Sequence, residues 1–162
     1  MYDNITGLAV NTPKSYGKGI KASQLSEGVA RFFPVGGDSS SGLPKELLVP
    51  ILEGIRDEVQ EIRGIFAELE VQMVGGSLLI IYEADWEKAE EGLNQEDDTS
   101  EDEDSDEDSD EEDEKKSGPV FVVRVIDFAH TTLSPGQGVD SGVLLGLDTV
   151  LRLLDCRLSE IN

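Results

Sequence analysis

The sequence predicts an α+β fold in which antiparallel β-strands pack against helices. Two short apolar runs, 77–83 and 119–127, have the length and composition of strands. Two longer segments, which begin near Pro44 and Gly142, have the periodicity or leucine content of helices. The chain has 162 residues, of which 38% are hydrophobic, so we expect one domain with a modest core.

The N-terminal third contains shorter elements. Residues Met1–Thr12 predict a strand and its turn. A short helix is expected over Ala22–Phe33, with Ser23 as its N-cap and three apolar residues on its inner side, Val29, Phe32 and Phe33. Residues 34–42 are rich in glycine and serine and predict a loop.

The longest predicted helix begins at Pro44. Apolar residues recur in it at spacings of three and four, at Leu48, Ile51, Ile55, Val59, Ile62, Phe66 and Leu69. We expect Pro44 near the first turn of the helix, and Pro50 either kinks the helix or marks its true start. We interpret the apolar stripe as covering the core.

The two apolar runs predict buried strands that pair antiparallel across a long connection. That connection, 84–118, is expected to be a disordered acidic insertion. The chain then closes with a leucine-rich helix over Gly142–Leu158, capped by Asp140 or Ser141.

The net charge of −22 is concentrated in one segment. Residues 96–114 hold 15 acidic and no basic residues, so the rest has 20 acidic against 13 basic residues, a net −7. The negative electrostatic field of such a chain disfavours direct binding to nucleic acid or to anionic membranes. A partner of the segment 96–114 itself would be basic. No run approaches the length of a membrane span. Cys156 is the lone cysteine, so no internal disulfide is possible, and we expect a soluble intracellular protein.

Asp127 is the strongest candidate for chemistry, because it lies where an apolar strand ends. A rigidly held carboxylate with open positions beside it suits Mg²⁺ bound between phosphates. A turn or cap aspartate is the competing interpretation. His130, the single histidine, could contact a phosphate or be structural.

Several motifs then occur in a consistent order. They are Tyr16-Gly17-Lys18, Phe32-Phe33, Ser77-Leu78-Leu79 with Tyr82-Glu83, and 125–131 (Val-Ile-Asp-Phe-Ala-His-Thr) followed by Asp140 and Gly146-Leu147. This ordered set resembles the inositol polyphosphate kinase family, and within it the multikinases of fungi. The family's Pro-x-x-x-Asp-x-Lys-x-Gly motif and the strand with the ATP-phosphate lysine are absent. The chain therefore resembles the C-terminal part of such a kinase domain, over 1–162.

The resemblance implies an ATP-dependent kinase of inositol phosphates with a kinase-like, ATP-grasp-like fold, found in nucleus and cytoplasm. It makes Asp127 the ligand of the Mg²⁺ that bridges ATP phosphates, and it places His130 beside the inositol phosphate and Ser77 near the active site. Because the phosphate lysine and the substrate clamp are missing, we expect no detectable kinase activity from this chain alone.

An alternative hypothesis is a non-catalytic interaction protein, whose acidic segment 96–114 binds basic nuclear proteins. A solvated spacer is the simpler interpretation of that segment. Binding of ATP and Mg²⁺ that depends on Asp127 would separate the two hypotheses, since only the kinase predicts it.

Overall fold

The computed structural model describes residues 2–37, 41–98 and 118–162, and their architecture is a mixture of helices and antiparallel strands, as predicted. The described strands form two-stranded antiparallel pairs. These are β1 (Tyr2–Asp3) with β2 (Leu8–Ala9), β3 (Val71–Met73) with β6 (Thr131–Leu133), and β4 (Ser77–Tyr82) with β5 (Phe121–Ile126).

The helices account for more of the described residues than the strands do. They are α1 (Lys14–Gly19), α2 (Leu25–Phe32), α3 (Lys45–Phe66), α4 (Trp86–Asp98) and α5 (Ser141–Ile161), with 3-10 turns at Ala22–Gln24 and Phe128–His130. Within the described ranges, no helix is both long and apolar enough to cross a membrane.

The core lies between α3, α5 and the inner face of the β4–β5 sheet. Leu48, Ile51, Leu52, Ile55 and Val59 of α3 are fully buried, and Val123 of β5 and Leu154 of α5 are 1% exposed. Burial of these side chains is the main stabilising term, because each removes most of its apolar surface from water. Two ion pairs on the rim join α3 to α5, Arg56–Asp155 at 3.2 Å and Arg63–Asp148 at 2.9 Å.

The long helix confirms the predicted stripe with two differences. It begins at Lys45, directly after Pro44, and Pro50 lies inside it, so Pro50 does not mark its start. Leu69 lies beyond the helix end and is 43% exposed, because the chain turns toward β3 after Phe66.

The N-terminal part of the chain contains more and shorter elements than predicted. Residues 2–9 form a two-stranded hairpin, and α1 was not predicted. Ser23 lies in a 3-10 turn and is not the N-cap of α2, which begins at Leu25 after Gln24. Phe33 is buried, whereas Phe32 is 42% exposed.

The predicted pairing of the two apolar runs is confirmed, with Ser77 opposite Ile126 and Tyr82 opposite Phe121. The strand predicted over 77–83 is confirmed as β4, but the prediction that it is buried is wrong. Its side chains alternate, so that Leu79 and Ile81 are 37% and 54% exposed on the outer face. Residues 78–82 are all hydrophobic, so the sequence does not show this alternation.

The prediction of disorder over 84–118 is wrong for its first part, which forms α4. Ala89 is fully buried, and the Trp86 indole Nε1 donates to the Gly42 carbonyl at 2.6 Å. The Asn4 side-chain amide holds the start of α4, because its Nδ2 donates to the Ala84 carbonyl and its Oδ1 accepts from the Trp86 N–H. Residues 99–117, and with them most of the acidic segment 96–114, lie outside the described residues.

The closing helix is confirmed as α5, and it resolves the choice of N-cap. Asp140 Oδ1 accepts hydrogen bonds from the Gly142 and Val143 N–H groups at 2.9 and 3.1 Å, while Ser141 is the first helical residue. These bonds satisfy donors that the first turn of a helix leaves free.

Candidate functional site

The start of β4 and the end of β5 lie at the same end of the sheet. Ser77 is directly opposite Ile126, so Asp127 follows one residue beyond that pair. Residues opposite each other on antiparallel strands have Cβ atoms about 5 Å apart. The structure thus brings Ser77 and Asp127, 50 residues apart in sequence, to one end of the ladder.

Asp127 has a left-handed backbone, with φ 68° and ψ 52°, alone among the described non-glycine residues in its positive φ. Such a conformation is disfavoured by roughly 1–2 kcal/mol for an ordinary L-residue and is better tolerated by Asp and Asn. It turns the chain sharply out of β5 into the 3-10 turn Phe128–His130.

The Asp127 side chain is exposed and makes no capping hydrogen bond to that turn. The competing interpretation from sequence is a turn or cap aspartate. The cap lacks its hydrogen bond, whereas the left-handed backbone does place Asp127 in a turn. A carboxylate held at a strained turn and left open to solvent is available to a ligand.

His130 ends the 3-10 turn and is also exposed. Its carbonyl accepts a hydrogen bond from the Val74 N–H at 3.1 Å, and the next residue, Thr131, pairs with Met73 in the β3–β6 ribbon. The ribbon therefore anchors His130 by its backbone and leaves the imidazole free. All three predicted residues lie around this end of the β4–β5 sheet.

Asp140 connects this end of the molecule to α5. Beyond its cap bonds, Oδ2 accepts a hydrogen bond from the Met73 N–H at 2.9 Å. The bond from Met73, followed by those from Val143 and Gly142, holds the pKa of the Asp140 carboxyl below its ordinary value of 3.8. One carboxylate thus ties β3, and the ribbon that carries His130, to the helix.

Glu70 is a positioning residue that sequence reasoning missed. Its carboxylate accepts hydrogen bonds from the Gly136 N–H at 2.8 Å and the Gly138 N–H at 3.3 Å, and its carbonyl accepts one from the Ser134 N–H. These bonds fix the loop between β6 and α5. A single glutamate after a helix carries no local signal of this role, because its partners are 66 and 68 residues away.

A cavity of about 370 Å³ opens beside Ser77. Among the residues that line it are Met73, Gly75, Gly76, Leu78 and Asp140. Neither Asp127 nor His130 lines it. The site is therefore an exposed corner formed by Ser77, Asp127 and His130, with a cavity adjoining it on the side of Ser77.

The donor set at this corner fits one kind of metal site. The described residues contain no group of three His, Cys, Asp or Glu side chains that could enclose a metal ion. A single open carboxylate fits Mg²⁺, which is commonly held by one or two carboxylates together with substrate phosphates. Asp127 supplies one such open carboxylate.

Comparison with known proteins identifies a family model and a relative that this chain matches. A model of the inositol polyphosphate kinase family matches residues 1–155. The inositol polyphosphate multikinase of Saccharomyces cerevisiae is 42% identical over a 101-residue alignment that covers 52% of this chain and 28% of that protein.

A solved structure agrees with the sequence comparisons. The crystal structure of inositol phosphate multikinase Ipk2 from S. cerevisiae, in complex with ADP and Mn²⁺, superposes with a TM-score of 0.62 and 25% identity. The match covers 90% of this chain and 50% of the yeast chain, so this chain spans half or less of the length of these relatives. The predicted kinase-like fold is confirmed, and the family match across nearly the whole chain shows that this chain belongs to the inositol polyphosphate kinase family.

Proposed function

We propose that this chain provides the metal-holding, substrate-facing corner of an ATP-dependent kinase that phosphorylates inositol phosphates. The observation that carries the proposal is the left-handed Asp127, whose open carboxylate lies at one end of the sheet with Ser77 and His130. The family membership and the ADP and Mn²⁺ in the solved yeast relative support nucleotide and a divalent metal as the cofactors.

Asp127 has the role of holding Mg²⁺ against the phosphates of ATP. The metal, when bound, neutralises charge on the transferred phosphoryl group. The contribution of the protein is to fix the backbone that carries this carboxylate between β5 and the 3-10 turn, so that the carboxylate lies at one end of the sheet before phosphates arrive.

His130 and Ser77 face the inositol phosphate in this proposal. The imidazole N–H of an exposed histidine can donate to a phosphate oxygen. The Ser77 hydroxyl is exposed at the first position of β4, where it can donate to a second phosphate or accept from a substrate hydroxyl.

Among the described residues, Arg124 is the Lys or Arg nearest to Asp127 in sequence, three residues before it. Its guanidinium already donates to the Val123 carbonyl at 2.9 Å. Phosphoryl transfer depends on positioning and on charge neutralisation. We therefore expect this chain alone to bind nucleotide and metal weakly and to transfer no detectable phosphate.

The test is nucleotide-dependent binding of Mn²⁺, followed by electron paramagnetic resonance with and without ADP. The acidic segment will bind Mn²⁺ by itself, so the measured quantity is the increment that ADP adds. We expect Asp127→Asn and Asp127→Gly to weaken this increment by about tenfold or more, which corresponds to about 1.4 kcal/mol. Both residues tolerate a left-handed backbone, so the change isolates the carboxylate.

Asp57→Asn is the matched control. It also removes one negative charge, but from the exposed surface of α3, where Asp57 contacts Arg56. An ADP-dependent increment that Asp127→Asn leaves unchanged, or that Asp57→Asn reduces equally, contradicts the proposal.

A further inference from the structure

An apolar cavity of about 320 Å³ lies between α2 and α5, apart from the corner formed by Ser77, Asp127 and His130. Its lining includes Ile20, Leu25, Val29, Ile80, Val150 and Leu153. Among the described residues that line it, Tyr16 is the only one whose side chain carries a polar atom. Ligand sites have volumes of about 300–1,000 Å³ and are mostly apolar with few polar groups, so this cavity has the character of one.

The apolar side of α2 lies over this cavity. Leu25 and Val29 are only partly buried and Phe32 is 42% exposed, and neither α1 nor α2 contains a buried residue. The cavity floor is well packed, because Phe33 and Leu154 are 2% and 1% exposed. An amphipathic helix normally covers its apolar stripe with the core. The stripe of α2 instead has room for an apolar ligand beneath it.

The elements that cover the cavity are basic, although the chain is strongly acidic. Residues 14–31 hold four basic residues and one acidic residue, a net +3, against −22 for the whole chain. We call the four exposed cations the basic cover; they are Lys14, Lys18, Lys21 and Arg31. Within the described part of the chain, no carboxylate forms an ion pair with any of them.

Arg31 connects the basic cover to the cavity. Its guanidinium lies 4.7 Å from the centre of the Tyr16 ring, and Tyr16 lines the cavity. A guanidinium binds a carboxylate through two parallel N–H···O bonds. An anionic head group can therefore bind at Arg31 while an apolar tail enters the cavity.

The volume limits the length of that tail. Taking about 30 Å³ for each group the size of a water molecule, the cavity holds roughly ten such groups. We propose that this cavity binds a free fatty acid of about ten carbons, with its tail between α2 and α5 and its carboxylate beside Arg31. This site uses no residue of the corner around Asp127, so it stands apart from the proposed function.

An anionic membrane surface is the competing partner for the basic cover. The net charge of −22 repels an extended anionic bilayer, whereas a monomeric fatty acid presents a single charge to the local cations. The observations therefore favour a monomeric ligand over a bilayer.

The experiment titrates the full chain with fatty acids below their micelle concentrations, followed by isothermal titration calorimetry. From hexanoate through octanoate to decanoate, affinity should rise about fourfold for each methylene, the contribution of one buried CH₂. Between decanoate and tetradecanoate the affinity should stop rising, because the cavity is full.

The head group is tested with decylamine. Because the chain as a whole is acidic, non-specific binding favours the cationic amine. We expect decanoate to bind about tenfold or more tightly than decylamine, and only local cations can produce that preference.

Two variants separate the head from the tail. Arg31→Gln should weaken decanoate about threefold or more and leave decanol unchanged, since only the carboxylate contacts the cation. Lys88→Gln is the matched control, because it removes one positive charge from exposed α4, and it should change neither. Val29→Phe fills the cavity and should weaken both ligands about tenfold or more.

Methyl NMR of the unsubstituted chain keeps the test valid if Val29→Phe fails to fold. Decanoate should shift the methyl signals of Leu25, Val29 and Leu153, which line the cavity. The methyl signals of Val59, which is fully buried on α3 and does not line it, should stay unchanged.

Four results overturn the proposal. They are the absence of decanoate binding, decylamine binding as tightly as decanoate, methyl shifts that leave out the cavity residues, and binding to phosphatidylserine vesicles without binding of monomeric decanoate. None of these measurements uses ADP or Mn²⁺, so their outcome is separate from that of the proposed kinase function.

Discussion

Asp127 combines a disfavoured backbone with an unused side chain. Its φ of 68° is imposed by the exit from β5 into the 3-10 turn, and its carboxylate makes no cap bond in return. The sequence could place an aspartate at the end of an apolar strand. It could not reveal the left-handed backbone, because Asp is common in ordinary turns and caps too. The structure shows no cap bond, places Asp127 in a turn and leaves its carboxylate exposed, so its role as a metal ligand stays a prediction.

Among the residues around this site, the loss of Asp140 should lower the stability of the fold most. Asp140→Ala removes a helix cap and the acceptor for Met73 N–H, so we expect a loss of about 1–3 kcal/mol in the free energy of unfolding at pH 7. Urea denaturation followed by circular dichroism measures it. Asp148→Ala on the same helix, which removes only an exposed partner of Arg63, should change stability little.

The same carboxylate gives a pH signature. Its folded pKa lies below 3.8, so its contribution is fully present above that ordinary value and is lost as pH falls through the folded pKa. The stability difference between wild type and Asp140→Ala should therefore shrink below pH 3.8. A difference that stays constant into that range would show that the charge of Asp140 is not what stabilises the fold.

At the scale of elements, the sequence predicted those whose pattern is strong. Periodicity predicted α3, leucine content and a cap residue predicted α5, and the two apolar runs predicted the β4–β5 pair. It did not predict α4, because that helix is held by contacts distant in sequence, such as the Trp86 bond to Gly42 and the burial of Ala89, within a strongly acidic segment. Amino-acid composition indicates how strongly the segment is solvated, but it does not indicate contacts with residues distant in sequence.

The packing of α3 on β5 depends on a close approach at Gly54. A Cβ at Gly54 would lie 2.5 Å from the Phe121 ring, whereas a Cβ at Gly64 on the same helix has no neighbour within 4 Å. We expect Gly54→Ala to destabilise the fold by about 1–3 kcal/mol through overpacking. Gly64→Ala should stabilise it by about 0.5–1 kcal/mol through helix propensity.

Thermal and urea unfolding of the two variants measure these opposite signs. Equal stabilisation by both alanines would mean that Phe121 moves aside freely, and that α3 and β5 are not in tight contact.

At the scale of the whole molecule, the family and the partial length are the central facts. The chain carries the fold of an inositol polyphosphate kinase over half of a solved relative, with an open sheet face and one exposed metal-ligand candidate. Antiparallel pairing alone could have predicted that Ser77 and Asp127 meet. The cavity beside Ser77 and the exposure of β4 could not be predicted from the sequence, because they depend on how the elements pack together. Binding of basic nuclear proteins by 96–114 stays a prediction.

The location of the metal tests the central claim most directly. An ¹⁵N-labelled chain is titrated with Mn²⁺ in the presence of ADP, and the signal loss seen with Mn²⁺ alone is subtracted. We predict ADP-dependent broadening centred on the amides of Asp127, Phe128 and Ser77, and its disappearance in Asp127→Asn. Broadening confined to the acidic segment, or unchanged in Asp127→Asn, would contradict the assignment of Asp127 as the metal ligand.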